Sequence, residues 1–293
     1  MRLKRISILV TFIVFSFGFT FAQDSGGLLK QLDTSTEDRT VMAFKSSRLI
    51  LGQSTVQLSK GELQFRVSHL FGRVSDGLDE LYGLDQMYNV DLSFEYGLSN
   101  SLQIGLARSN DFDKTLQFSL KRAFIQQLTS GNPQVSFSYF GSINIKSRDY
   151  EEDRSFSDRL EYVNQLLLSR KFSDKFSAQI APSFVYLSRA NSSDHPNSLL
   201  ATNLGMSMAI NKSANFNLEY VFTFPTFTSD LYDFDRNALS LGFDIEKGGH
   251  VFQVFMTNST RVQPGRFIQQ FNNDRFFKGQ LHIGFSIMRS FSL

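Results

Sequence analysis

The side chains best suited to chemistry in this 293-residue chain are four histidines and several clusters of acids, with no cysteine among them. Ester hydrolysis needs a serine hydroxyl beside a histidine base that a third polar group orients. His69 is the best-placed histidine, yet no segment carries the compact His-x-Ser-Asn-Gly arrangement that lipid-ester hydrolases of this type use. Peptide hydrolysis by general base catalysis needs a histidine and aspartates converging on one water. "SSDHP" sets Asp194 beside His195, and "SDLYDFD" adds Asp230, Asp233 and Asp235. Adjacent residues seldom point together, and solvation alone explains an Asp-rich loop. "RDYEED" (148–153) offers carboxylates to a hard cation but lacks the spacing and turn glycine of a calcium loop. His250 and His282 show no metal-ligand spacing and read as structural. The sequence therefore points to no catalytic constellation, no metal set and no cofactor.

The elements that would position such residues are far more legible. "NVDLSFEYGLSN" (89–100) places Val90, Leu92, Phe94, Tyr96 and Leu98 on one phase and Asp91, Ser93 and Glu95 on the other. This two-residue rhythm is that of a β-strand. It recurs in a dozen segments of about 10 to 13 residues, the length of a tilted membrane strand. They begin at Glu62, Asn89, Leu102, Lys114, Gln134, Arg159, Phe176, Ser198, Asn215, Asn237, His250 and Lys278. Connections alternate in length. Residues 99–101, 129–133, 173–175, 211–214 and 248–249 are short turns; 72–88, 147–158, 189–197, 225–236 and 258–277 are long and polar, with 109–113 the short exception. A two-residue turn at Gly248-Gly249 pairs Ile245 with Phe252 and Phe243 with Val254. A three-residue turn at 99–101 pairs Leu98 with Leu102 and Tyr96 with Ile104.

The start of the chain has a basic end (Arg2, Lys4, Arg5), an apolar run from Ile6 to Phe21 and a small-residue site before Gln23, as a secretory leader has. Residues 1–22 are therefore expected to be removed, which takes three of the 30 basic residues and leaves 27 against 28 acids, a formal charge of −1. Nothing in that balance suggests a nucleic-acid partner. No later apolar run reaches the ~20 residues of a membrane helix, so a membrane can be crossed only by a closed barrel. A secreted β-sandwich shares the leader and the alternation, but it has no reason to alternate short turns with long loops.

The fold expected is all-β: a closed antiparallel transmembrane β-barrel of about 12 strands, with short periplasmic turns and longer extracellular loops, in the bacterial outer membrane. The Phe- and Tyr-rich phase then faces lipid, and the small polar phase faces a crowded, hydrated lumen. Its sparse charges are the lumen-facing candidates: Arg66, Asp91, Glu95, Lys121, Glu161, Glu219 and Asp244. Glu95, Glu219 and Asp244 are expected to be hydrated or paired with cations such as Arg66 or Lys121. Residues 23–60 are set apart from a barrel of 61–293 as a plug or periplasmic extension. Counting 41–59 as a wall strand would make the strand number odd, so it is expected inside or under the barrel.

"GQLHIGFSIMRSFSL" (279–293) resembles the closing strand of outer-membrane barrels, with Phe291 and Leu293 in the phase read by the barrel assembly machinery. "SSRLILGQS" (46–54), "HLFG" (69–72) and "LYGLDQ" (81–86) resemble landmarks of a bacterial outer-membrane barrel family of unknown function. That resemblance implies a porin-like fold and a place in the Gram-negative envelope, with lipid and the assembly machinery as partners. It brings no catalytic residues. The first functional reading is a channel for small solutes or a component of an envelope complex. The alternative is a hydrolase at the barrel rim, lipase- or protease-like, which would require His and Ser, or His and Asp, within hydrogen-bond reach.

Overall fold

The computed structural model describes residues 38–190, 195–224 and 233–293. The expected leader, Asp194 and Asp230 lie outside them. The alternating segments form twelve antiparallel strands: β1 (Glu62–Arg73), β2 (Met87–Ser99), β3 (Leu102–Ser109), β4 (Thr115–Ile125), β5 (Ser136–Lys146), β6 (Leu160–Lys171), β7 (Phe176–Leu187), β8 (Ser198–Ala209), β9 (Ala214–Thr223), β10 (Ala238–Lys247), β11 (His250–Thr257) and β12 (His282–Ser292). Each pairs with its sequence neighbour, and β1 pairs with β12 to close the ring. Closure leaves no unpaired strand edge, which a wall surrounded by lipid cannot tolerate. Glu62 lies opposite Ser292, so the wall starts and finishes at its short-turn end.

The pleat separates the two phases as the rhythm requires. On β2, Leu92, Phe94 and Leu98 are exposed outward while Asp91, Ser93 and Glu95 are buried inward. The Gly248-Gly249 hairpin has the expected register, Ile245 to Phe252 and Phe243 to Val254. Both glycines have positive φ, the conformation a type I′ turn demands. Tyr96 faces Ile104 as expected, but Leu102 pairs with Ser99 and not with Leu98. An irregularity between Gly97 and Ser99 shifts the register by one residue at that turn.

The interior departs from a uniformly polar, hydrated lumen. Phe140, Val163, Leu167, Val185, Val221 and Phe255 point inward and are buried. They form one cluster with Ile50 and Leu51 from before the wall and with Val262, Phe267 and Ile268 from the loop between β11 and β12. Burying side chains of this size contributes roughly 1.5 to 3 kcal/mol each. The polar phase thus has an apolar break where chain from both ends of the barrel enters it.

Candidate functional site

The first intruder is a hairpin formed by residues 46–54. Arg48 bridges to Gln53, Ser54 N donates to Ser47 O at 3.0 Å and Leu49 N to Gly52 O at 2.9 Å. None of these residues belongs to a wall strand, so their remaining backbone groups need partners from the lumen. Side chains of the wall supply them. Gln253 Nε2 donates to Leu49 O at 2.6 Å, Gln179 Nε2 to Gln53 O at 2.7 Å, and Arg66 Nη2 to Ile50 O at 3.2 Å. Lys121 Nζ donates to Ser47 O and Ser54 O at 3.3 and 3.2 Å. Glu219 accepts at the tip: Leu51 N and Gly52 N each at 2.8 Å, Ile50 N at 3.3 Å. A Cβ on Gly52 would fall on the Glu219 carboxylate and the Asn203 amide, so only glycine lets the tip seat. Gly97 does the same where Ser59 O passes on the way to β1.

The second intruder is the loop 258–281, entering from the long-loop end. Its short helix α1 (Pro264–Phe267) is wholly buried. Arg266 Nη1 lies 2.9 Å from Asp113 and 3.7 Å from Glu161, its Nε 3.4 Å from Asp111, and its Nη2 donates to Thr115 Oγ1 at 2.9 Å. Burial works against the Asp113 carboxylate, but the Arg266 charge and the Tyr150 hydroxyl outweigh it and hold its pKa below the ordinary value. Gln263 Nε2 donates to Asp91 at 2.7 Å and Gln269 Nε2 to Glu161 at 3.0 Å. Above α1 lies a cleft of about 640 Å³ whose walls include Arg148, Tyr150, Arg154 and Phe271.

The seven lumen candidates all lie buried inward, and they divide between the two intruders. Arg66, Lys121 and Glu219 bind the hairpin backbone directly. Asp244 acts through Gln253, which donates to it at 2.9 Å. Glu95 lies 3.5 Å from Arg48 of the hairpin and accepts from Gln103 at 2.7 Å. Asp91 and Glu161 hold the loop. The direct contacts of Glu95, Glu219 and Asp244 go to hairpin groups and wall amides, and among the described residues none is an ion pair with Arg66 or Lys121, because chain fills the space that water was expected to fill. Arg48, Arg266 and Gln253 complete the site together with Gln179, and those three were not singled out by pattern. For Arg48 a signal was present: its segment, 41–59, would make the strand number odd if it were a wall strand.

The histidines are placed as follows. His69 faces outward, its ring 4.3 Å from Phe71 and 5.4 Å from Phe285. His250 Nδ1 sits 3.2 Å from Gly248 O in a turn. His195 packs on Phe271 at 4.7 Å. His282 does meet an aspartate, Asp274, at 2.9 Å. Its other nitrogen is bound to Phe71 O, the residue is fully buried, and Arg73 grips Asp274 at 2.6 and 2.7 Å. With both ring nitrogens occupied, the pair is a brace between β1, β12 and the loop. Asp233 pairs with Arg275 at 2.7 Å, and Asp235 accepts from Phe277 N at 2.6 Å. Among the described residues no cluster has the composition of a metal site.

The family described as "Membrane bound beta barrel domain (DUF5777)" matches residues 44–291, which takes in the hairpin as well as the wall. Among solved structures, the chain is similar to "KdgM porin", at 10% identity and a TM-score of 0.45 over 78% of this chain and 99% of that one. It is similar also to "the outer membrane channel DcaP of Acinetobacter baumannii", at 10% identity and a TM-score of 0.36 over 79% of this chain and 96% of that one. No curated protein sequence matches it.

Proposed function

The chain belongs to this family of membrane-bound β-barrel domains, and from that premise we propose that it is an outer-membrane conduit whose resting lumen is closed by its own N-terminal hairpin. Short turns at one end and long loops at the other support an orientation with the hairpin entering from the periplasm and the loop 258–281 from outside. The observation that carries the reading is the way the hairpin is held. Its backbone is bound by glutamine, lysine, arginine and glutamate side chains and has no ladder to a wall strand. Water can take over such bonds once the hairpin leaves, so each holds it by only about 0.5 to 3 kcal/mol net, beside the apolar contact at Ile50 and Leu51. A solute would then meet the cleft above α1 before the lumen. The outward phase of β12, ending in Phe291 and Leu293, is the surface we assign to the assembly machinery. A second reading, a permanently closed barrel that serves an envelope complex, is favoured by the same apolar contact with Phe267 and Ile268. For a rim hydrolase the described residues offer nothing beyond the buried His282–Asp274 brace.

Planar-bilayer recording distinguishes the two. The refolded full chain should be mostly closed, and deletion of 41–59 should give a folded barrel with larger, steadier conductance. A deletion variant that folds and stays closed would refute the conduit and leave the permanently closed barrel.

A further inference from the structure

The outward face carries a polar group that its surroundings do not explain. Asn164 of β6 faces outward between Gly141 of β5 and Phe184 of β7. The Tyr139 ring lies over Gly141, where a Cβ would crowd it, and donates its hydroxyl to Asn164 Oδ1 at 2.6 Å. Among the described residues nothing accepts from Asn164 Nδ2. Beside it the β6–β7 register stops after Gln165 and Ser183 and resumes at Leu168 and Ile180. Pro182, exposed in that gap, has no N–H to donate. Two defects in a lipid-facing wall, an amide whose N–H groups lack an acceptor and an interrupted ladder, thus lie side by side.

Depth decides what can cover them. Asn164 is four residues from the loop end of β6 and seven from the turn end. A strand tilted by ~40° climbs about 2.5 Å per residue, which puts the amide roughly 10 Å below the upper end and close to mid-height. Lipid ester carbonyls lie at the interface, well above it, and acyl chains accept no hydrogen bond. We infer that this face is the contact between two copies of the chain, related by a two-fold axis that passes beside Asn164. A carboxamide both donates and accepts, so two Asn164 side chains satisfy each other reciprocally, as a self-complementary interface requires. Pro182, exposed and compact, leaves room for the partner wall beside Asn164, as small residues do between membrane segments. Apolar grooves of about 890 and 570 Å³ flank the Tyr139–Asn164 bridge on either side and would receive the partner's Phe and Leu ridges.

The absence of cysteine makes the test clean. In native membranes, Leu166→Cys, exposed beside Asn164, should form a disulfide-linked dimer, while Val254→Cys, exposed on β11, should not. The unmodified chain in mild detergent should run at twice the monomer mass, and Asn164→Leu should run as a monomer that keeps the gel-mobility shift of a folded barrel. Equal cross-linking at the two cysteine positions, a native-state monomer with or without bound lipid, or a dimer indifferent to Asn164→Leu would each overturn the inference. If Asn164→Leu fails to fold, the Leu166→Cys and Val254→Cys comparison decides alone.

Discussion

The hairpin tip offers the sharpest perturbation. Glu219→Gln preserves shape and removes the charge that gathers three backbone N–H groups. Two of those bonds are good, to Leu51 and Gly52 at 2.8 Å, and the third, to Ile50 at 3.3 Å, is marginal. A hydrogen bond to a charged acceptor contributes about 1.5 to 3 kcal/mol, against about 1 for a neutral one. Glutamine keeps one acceptor oxygen, so one strong bond is lost and one is weakened, a loss of roughly 2 to 4 kcal/mol. Part returns because a buried charge without a close cation no longer has to be held out of water. The net change is about 1 to 2 kcal/mol, or roughly 5- to 30-fold in the withdrawn population. The assay is single-channel open probability, together with maleimide labelling of Ser54→Cys, a position buried in the seated hairpin. Both should rise in Glu219→Gln by that factor while barrel assembly is unchanged. A variant that neither labels faster nor opens more often would show that Glu219 does not hold the tip and that the hairpin is seated by other contacts.

Three other outcomes follow from the same interior. Gly52→Ala should reproduce Glu219→Gln in both assays, because the added methyl displaces the tip from the carboxylate. Arg266→Met leaves Asp111, Asp113 and Glu161 without their shared cation and should destabilise the seated loop by about 3 to 5 kcal/mol, read as protease cleavage within 258–281. Burial raises the pKa of Asp274, but hydrogen bonds from His282 and Arg73 outweigh it and hold the folded value at about 2, against 3.8 ordinarily. A depressed carboxylate stabilises above its unfolded pKa and loses that contribution as pH falls through the folded one. The brace should therefore be intact above about pH 4 and weaken towards pH 2, by about 1 kcal/mol once solvent screening is allowed for; Asp274→Asn should abolish that acid step in loop proteolysis.

The wall was legible because its two solvents are so different. Lipid outside and packed polar chain inside impose the two-residue alternation on every strand, and eleven of the twelve expected starts fall within two residues of those observed. The twelfth, expected at Lys278, begins at His282, because the preceding loop folds back into the barrel mouth. Turn register was legible where the turn type constrains it, at Gly248-Gly249, and not at 99–101, where a local irregularity absorbs one residue.

The interior was only half legible, for a reason that bears on function. A residue on the inner phase reads as polar whether it meets water or another backbone: Gln253, Gln179 and Lys121 bind hairpin carbonyls with the same groups that would otherwise be hydrated. The alternation therefore cannot distinguish an open lumen from a filled one. What distinguishes them is the set of inward residues that break the polar phase, Phe140, Val163, Leu167, Val185 and Phe255, since an aqueous channel would leave these large apolar groups wet. They cluster where Ile50 and Leu51 meet Phe267 and Ile268. Withdrawal of the hairpin must expose part of that cluster to water, and this apolar cost, added to polar latches whose net strength is modest because water can replace them, is what would keep the resting barrel closed without locking it.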